Sequence, residues 1–181
     1  VYSVCSNKNM KIKFVPIILT IFFIAIFIFF YKGLNNSSIY TPKINLEKEI
    51  PNFSTKVFET NKVINSSDIF VDNEFYILNI WASWCIPCRA EHPFLVDLSK
   101  NENLKMIGLN YKDNFGNAKN FLDELQNPFD IILLDDDGTI AIEWGAYGVP
   151  ESFLIYKKKI IKKIIGPITN EILIEINGLV K

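Results

Sequence analysis

The chain has 181 residues, 49% of them hydrophobic, and a formal net charge of −1. That length suits one ordinary domain plus an appendage. All four charges before Asn35 are lysines, so the rest holds 15 basic and 20 acidic residues, an acidic balance that argues against nucleic acid as a partner.

The hydrophobic excess is local. Residues 14–31 (FVPIILTIFFIAIFIFFY) carry no charge. As a helix they span about 27 Å, close to the hydrocarbon thickness of a bilayer. Pro16 falls in the first turn of that span, where proline is tolerated. No face is polar, which argues against a core helix, and Lys32-Gly33-Leu34-Asn35 lacks the small-x-small site of a cleaved signal peptide. The span therefore reads as an uncleaved anchor. Lys8, Lys11 and Lys13 precede it and only Lys32 closely follows, so residues 1–13 are expected in the cytoplasm and the remainder across the membrane. In a bacterium that means the inner membrane, with the C-terminal domain in the periplasm, where disulfides form. Met10-Lys11-Ile12-Lys13 makes a natural start, so starts at Val1 and at Met10 both stay open.

Residues 32–50 are polar and read as a tether, and residues 51–181 as one α/β domain. Residues 53–58 and 62–64 suit a hairpin across Glu59-Thr60-Asn61. Ser66-Ser67-Asp68 suits a helix cap. Residues 75–82 (FYILNIWA) are nearly all apolar and β-prone, as a strand buried on both faces requires. A helix is expected over 86–100, with Ala90, Phe94, Leu95 and Leu98 on one side. A strand follows over 104–109, a helix over 115–126, a strand over 130–134 and a short helix over 138–144. Residues 152–156 and 160–165 suit an antiparallel pair around Lys157-Lys158-Lys159, read as a solvated tip. A helix over 168–180 closes the chain. The order gives a mixed sheet flanked by helices.

Cys85-Ile86-Pro87-Cys88 sits where the buried strand gives way to a helix. Thiols at i and i+3 of a first helical turn are close enough to bridge. Cys85 falls at the helix N-terminus, where free N–H groups and the dipole favour a thiolate. It is the expected nucleophile, and Cys88, one turn in, the expected resolving thiol. Pro87 suits the first turn because its missing N–H costs little there. A zinc site needs four ligands, and the other candidates are only His92, on the same helix, and Cys5, before the apolar span. A purely structural bridge over so short a loop would stabilise weakly. Redox exchange is the reading these residues favour, with no metal and no cofactor beyond the Cys85–Cys88 disulfide.

The segment Trp81-Ala82-Ser83-Trp84-Cys85-Ile86-Pro87-Cys88 after an apolar strand resembles the thioredoxin superfamily. Arg89-Ala90-Glu91-His92-Pro93, Asn110-Tyr111-Lys112-Asp113 and Gly148-Val149-Pro150-Glu151-Ser152-Phe153-Leu154 narrow that resemblance to the DsbE/CcmG proteins, anchored thiol–disulfide proteins of cytochrome c maturation. The likeness covers roughly residues 50–180. It implies a thioredoxin-like fold with one N-terminal transmembrane helix. It also implies a cis bond at Pro150 that leaves nearby backbone free to pair with an extended client strand. Glu91 and Glu151 match the acids the family places around the thiols, where a carboxylate raises a thiol's pKa and gives a milder, more reducing couple. Trp84 is expected to shield the disulfide, and His92 to lie on the surface. Where thioredoxin has a buried aspartate in the central strand, this chain has Asn79, so any proton acceptor must be Glu91, Glu151 or water.

The implied partners are apocytochrome c, whose Cys-x-x-Cys-His thiols would be freed for haem, a membrane electron donor for re-reduction, and the lipid bilayer. Two rivals remain. One is a general periplasmic oxidase or isomerase, which lacks any large helical insert to bind broad peptide clients. The other is a copper-delivery module, for which soft thiolates are suited but no distant histidine supplies a third ligand.

Overall fold

A computed structural model describes residues 11–35 and 48–180. Contacts divide the chain into one unit ending at Lys43 and another beginning at Ile44. Cys5 and Lys8 lie outside the described residues.

In the first unit, helix α1 runs Lys11–Asn35. It begins three residues before the apolar run, so Pro16 sits in its second turn rather than its first. Its 19-residue stretch Phe14–Lys32 contains an 18-residue window with a mean hydropathy of 2.8 and is long and apolar enough to cross a bilayer, a test that a signal sequence also passes. The Thr20 hydroxyl donates to the Pro16 carbonyl at 2.8 Å, so that polar group is satisfied within the helix, as a lipid environment demands.

The second unit is a six-stranded mixed sheet with helices on it. In chain order it holds β1 (Lys48–Glu49), β2 (Ser54–Lys56), β3 (Val63–Asn65), α2 (Ser66–Ile69), β4 (Phe75–Trp81), α3 (Ile86–Leu98), β5 (Leu104–Tyr111), α4 (Phe115–Leu125), β6 (Ile131–Asp135), α5 (Thr139–Glu143), β7 (Glu151–Tyr156), β8 (Lys159–Ile165) and α6 (Asn170–Leu179). The sheet order is β1-β8-β7-β4-β5-β6, and β2 and β3 form a separate hairpin. Strands β4, β5 and β6 run parallel, as crossovers through helices impose, while β7 is antiparallel to both β4 and β8. This is the expected thioredoxin-like arrangement.

β4 is central and is covered on both sides. Its period of two sends Tyr76, Leu78 and Ile80 into one apolar cluster and Ile77 and Trp81 into the other, the one that holds both cysteines. Asn79 follows Ile77 and Trp81, so a polar side chain points toward α3. Gly108 on β5 makes room for this packing: a Cβ there would come within 2.9 Å of the Phe129 ring and of the Trp81 indole nitrogen.

Three local expectations change. The last residues of the expected tether form β1, where Lys48 and Glu49 pair with Ile160 and Lys159 at the sheet edge. Two residues give no periodicity to read, so only the partner strand reveals them. The lysine turn is tighter than expected. Lys157 and Lys158 alone occupy it, both at positive φ, the backbone of a two-residue hairpin loop that matches strand twist. Lys159 already belongs to β8. At α2 the cap is Asn65, one residue before the expected cluster, in a reciprocal capping box with Asp68.

Candidate active site

Cys85 and Cys88 form a disulfide, with Cα atoms 5.3 Å apart. Cys85 is the N-cap of α3, and its sulfur accepts the Cys88 N–H at 3.1 Å. One of the orphan amides that every helix N-terminus carries is thus aimed at the sulfur. An amide and a positive dipole end so placed favour thiolate over thiol at Cys85 once the bridge is reduced. Pro87 in the first turn takes nothing from the helix, because that amide would have no partner there. Both cysteines are buried, while the flanking Trp84 and Ile86 are exposed.

The turn that carries Cys85 is fixed from β5 and the loop after it. The Ser83 amide and hydroxyl both donate to the Asp113 carboxylate, the hydroxyl at 2.7 Å. Asp113 also accepts from Asn110 Nδ2 at 3.0 Å and from the Asn114 amide at 2.8 Å. The Trp84 indole N–H donates to the Lys112 carbonyl at 3.1 Å, and its ring tilts against Tyr111. Asn110-Tyr111-Lys112-Asp113 therefore acts as a bracket for the Cys85 turn. These contacts hold the Trp84 ring against the bracket, beside Cys85.

Glu91 lies one helical turn beyond Cys88 and is wholly buried. Its carboxylate accepts from Asn79 Nδ2 at 2.9 Å and from the Ile168 amide at 2.7 Å. Asn79 Nδ2 also lies 2.9 Å from the Ser152 hydroxyl, to which it donates. Burial pushes the Glu91 carboxyl up to about 7, and the two hydrogen bonds only partly oppose that rise. The Asn79 that stands in for an aspartate is thus coupled to a carboxyl on the neighbouring helix.

Glu151 is buried too. Lys163 Nζ sits 2.8 Å from Glu151 Oε2, outside the angular range of a hydrogen bond, so the contact is an ion pair. Glu151 Oε1 accepts the Tyr147 amide at 2.7 Å. The Val149–Pro150 peptide bond is cis. Glu151 pairs with Ile80 across the sheet, which puts Pro150 level with the end of β4, and Val149 packs against the cluster containing both cysteines.

The expected surface position of His92 is corrected. His92 is buried, with its ring edge-on to Phe121 and its Nε2 2.7 Å from the Gln126 carbonyl. A carbonyl only accepts, so Nε2 carries the proton. Burial pushes the imidazole pKa down, against that hydrogen bond, and Arg89 adds to the fall. His92 is a neutral core residue that ties α3 to the end of α4. Sequence reasoning missed Ser152, Lys163 and the bracket role of Asp113. The signal for Ser152 was its place one strand period after Pro150; Lys163 lies in the expected strand over 160–165, where nothing in the sequence sets it apart from Lys162.

A model of the Redoxin family matches residues 46–175. The thiol:disulfide interchange protein DsbE of Tatumella citrea is 35% identical over 85% of this chain and 84% of its own length. The chain belongs to the DsbE/CcmG family. Another relative, the thiol:disulfide interchange protein CycY of Rhizobium leguminosarum bv. viciae, is 45% identical over 58% of this chain and 56% of that protein. Among solved structures, a DsbE-like thiol:disulfide interchange protein from Chlorobium tepidum superposes with a TM-score of 0.63 at 23% identity, covering 75% of this chain and 96% of that one. StoA from Bacillus subtilis does so at 0.55 and 29% identity, covering 70% and 96%. Like the DsbE/CcmG proteins it resembles, this protein is a thiol–disulfide oxidoreductase.

Proposed function

We propose that this protein is an anchored reductant that opens the disulfides of apocytochrome c on the periplasmic side of the inner membrane, leaving their Cys-x-x-Cys-His thiols ready for haem attachment. The observation that carries the reading is Cys85 as the cap of α3, with the Cys88 amide directed at its sulfur. The Cys85 thiolate attacks one sulfur of the client disulfide. An S–S bond forms between Cys85 and the client, and the other client sulfur leaves as a thiolate. Cys88 then gives up its proton and attacks the Cys85 sulfur. The mixed disulfide breaks, the second client thiolate leaves, and the Cys85–Cys88 disulfide forms. The client gains two electrons and the protein loses two, which a membrane electron donor must restore.

Glu91 is the proposed acceptor of the Cys88 proton. It is one turn away on α3, and a carboxyl at about 7 is matched to proton transfer near neutral pH. The cis bond at Pro150 is proposed to present the backbone just before it, at Val149, to an extended client strand; Pro150 itself has no N–H, and its carbonyl accepts the Gly166 amide at 3.1 Å. Helix α1 is the proposed anchor.

A Cys88→Ser variant of the full chain tests this. It can attack but not resolve, so Cys85 accumulates mixed disulfides that mass spectrometry identifies. Apocytochrome c is expected among the adducts. Adducts drawn broadly from periplasmic proteins, without apocytochromes, would favour a general oxidoreductase instead.

A further inference from the structure

The Lys163–Glu151 pair is costly in isolation. Their side chains are 3% and 2% exposed. Two charges taken out of water are repaid only when their remaining protons and lone pairs also find partners. The strand pairing explains how they meet. Lys163 stands opposite Phe153, which shares a face of β7 with Glu151, so Lys163 and Glu151 are diagonal neighbours on that face.

The remaining contacts of the pair fall on one short segment. Lys163 Nζ donates to the Gly145 carbonyl at 2.7 Å and lies 4.2 Å from the centre of the Tyr147 ring. Glu151 Oε1 holds the Tyr147 amide. One charge thus grips a carbonyl of the segment and the other an amide two residues on. The Tyr147 side chain covers the ammonium with its ring and is otherwise exposed. That segment leads directly into the cis Val149–Pro150 bond. Had the pair served only to balance charge, nothing would require its spare hydrogen bonds to converge there.

We propose that Lys163 is a positioning residue for the exchange reaction: with Glu151 it clamps the Gly145–Tyr147 segment from beneath, setting the edge at Pro150 and the aromatic face of Tyr147 against which an extended client peptide lies. This rests on the reading of the backbone just before cis-Pro150 as the client edge. The pairing also gives the Glu151 carboxylate a partner of its own.

The test uses the full chain in a lipid nanodisc and two substrates. One is a peptide with an oxidised Cys-x-x-Cys-His motif, which needs the edge; the other is oxidised glutathione, which offers no extended strand. Lys163→Met is expected to raise the KM for the peptide by roughly tenfold more than it changes the rate with glutathione, because a misplaced positioning surface costs reaction on the order of ten- to a hundredfold. Lys163→Arg is expected to recover most of the peptide KM. The double variant Glu151→Gln, Lys163→Met removes both charges, so it should regain thermal stability over Lys163→Met yet keep the raised peptide KM. Three results overturn the proposal while leaving the client edge standing: a wild type that prefers the peptide but whose Lys163→Met form keeps that KM, equal losses on both substrates, or a double variant that recovers stability and KM together. A wild type with no preference for the peptide removes the client edge itself, and the proposal with it.

Discussion

Burial sets the chemistry of Glu91. A carboxyl near 7 in the folded domain, against an ordinary value of 4.5, means that the folded state holds a proton the unfolded chain has already released between those pH values. Stability therefore falls as pH rises from about 4.5 to about 7 and levels off above, by on the order of 3 kcal/mol if Glu91 acts alone. Glu91→Gln keeps an uncharged side chain in the same cavity and should lose that slope. Urea titrations of both forms at pH 5 and pH 8 check this. The wild type should weaken at pH 8 and the variant should not; a variant that weakens equally would assign the slope to another group. Glu91 was legible as a residue to watch, since it follows Cys88 by one turn. Its burial against Asn79 and the Ile168 amide was not, because those partners lie 12 and 77 residues away.

At the scale of elements, the nucleophile doubles as the cap of α3. Replacing Cys85 with serine keeps an acceptor for the Cys88 amide, whereas alanine leaves that amide bare. Under reducing conditions Cys85→Ala should be less stable than Cys85→Ser by about 1 kcal/mol. Equal midpoints in urea would mean that the sulfur does not cap the helix. The long elements were readable from pattern: β4 from a run apolar except at Asn79, α3 and α4 from spacing, β7 and β8 from an apolar, β-prone run and an isoleucine-rich one on either side of the lysine turn. What failed was short or set at a distance. β1 has only two residues and exists through β8. His92 looked polar and therefore external, but the carbonyl of Gln126 and the ring of Phe121 receive it inside. The lysines of β8 looked alike, yet Lys162 pairs with the half-exposed Glu175 while Lys163 is buried against Glu151.

The whole molecule combines an apolar helix with a redox domain, and the proposed role needs both. If α1 is an uncleaved anchor, the full chain should remain with membranes through alkaline carbonate extraction, and its mass should include residues 14–31; recovery of a shortened soluble domain would show that the segment is a cleaved signal instead. The domain's direction of electron flow is the central claim. A reductant must be held reduced by its donor in a compartment that oxidises most thiols. The most direct measurement is the redox state of Cys85 and Cys88 in living cells, fixed by acid quenching and read by a mass-tagged alkylating reagent. The account predicts that most of the protein carries both thiols free, and that it shifts to the disulfide when the membrane donor is removed. A pair found mostly oxidised in otherwise unperturbed cells would contradict it.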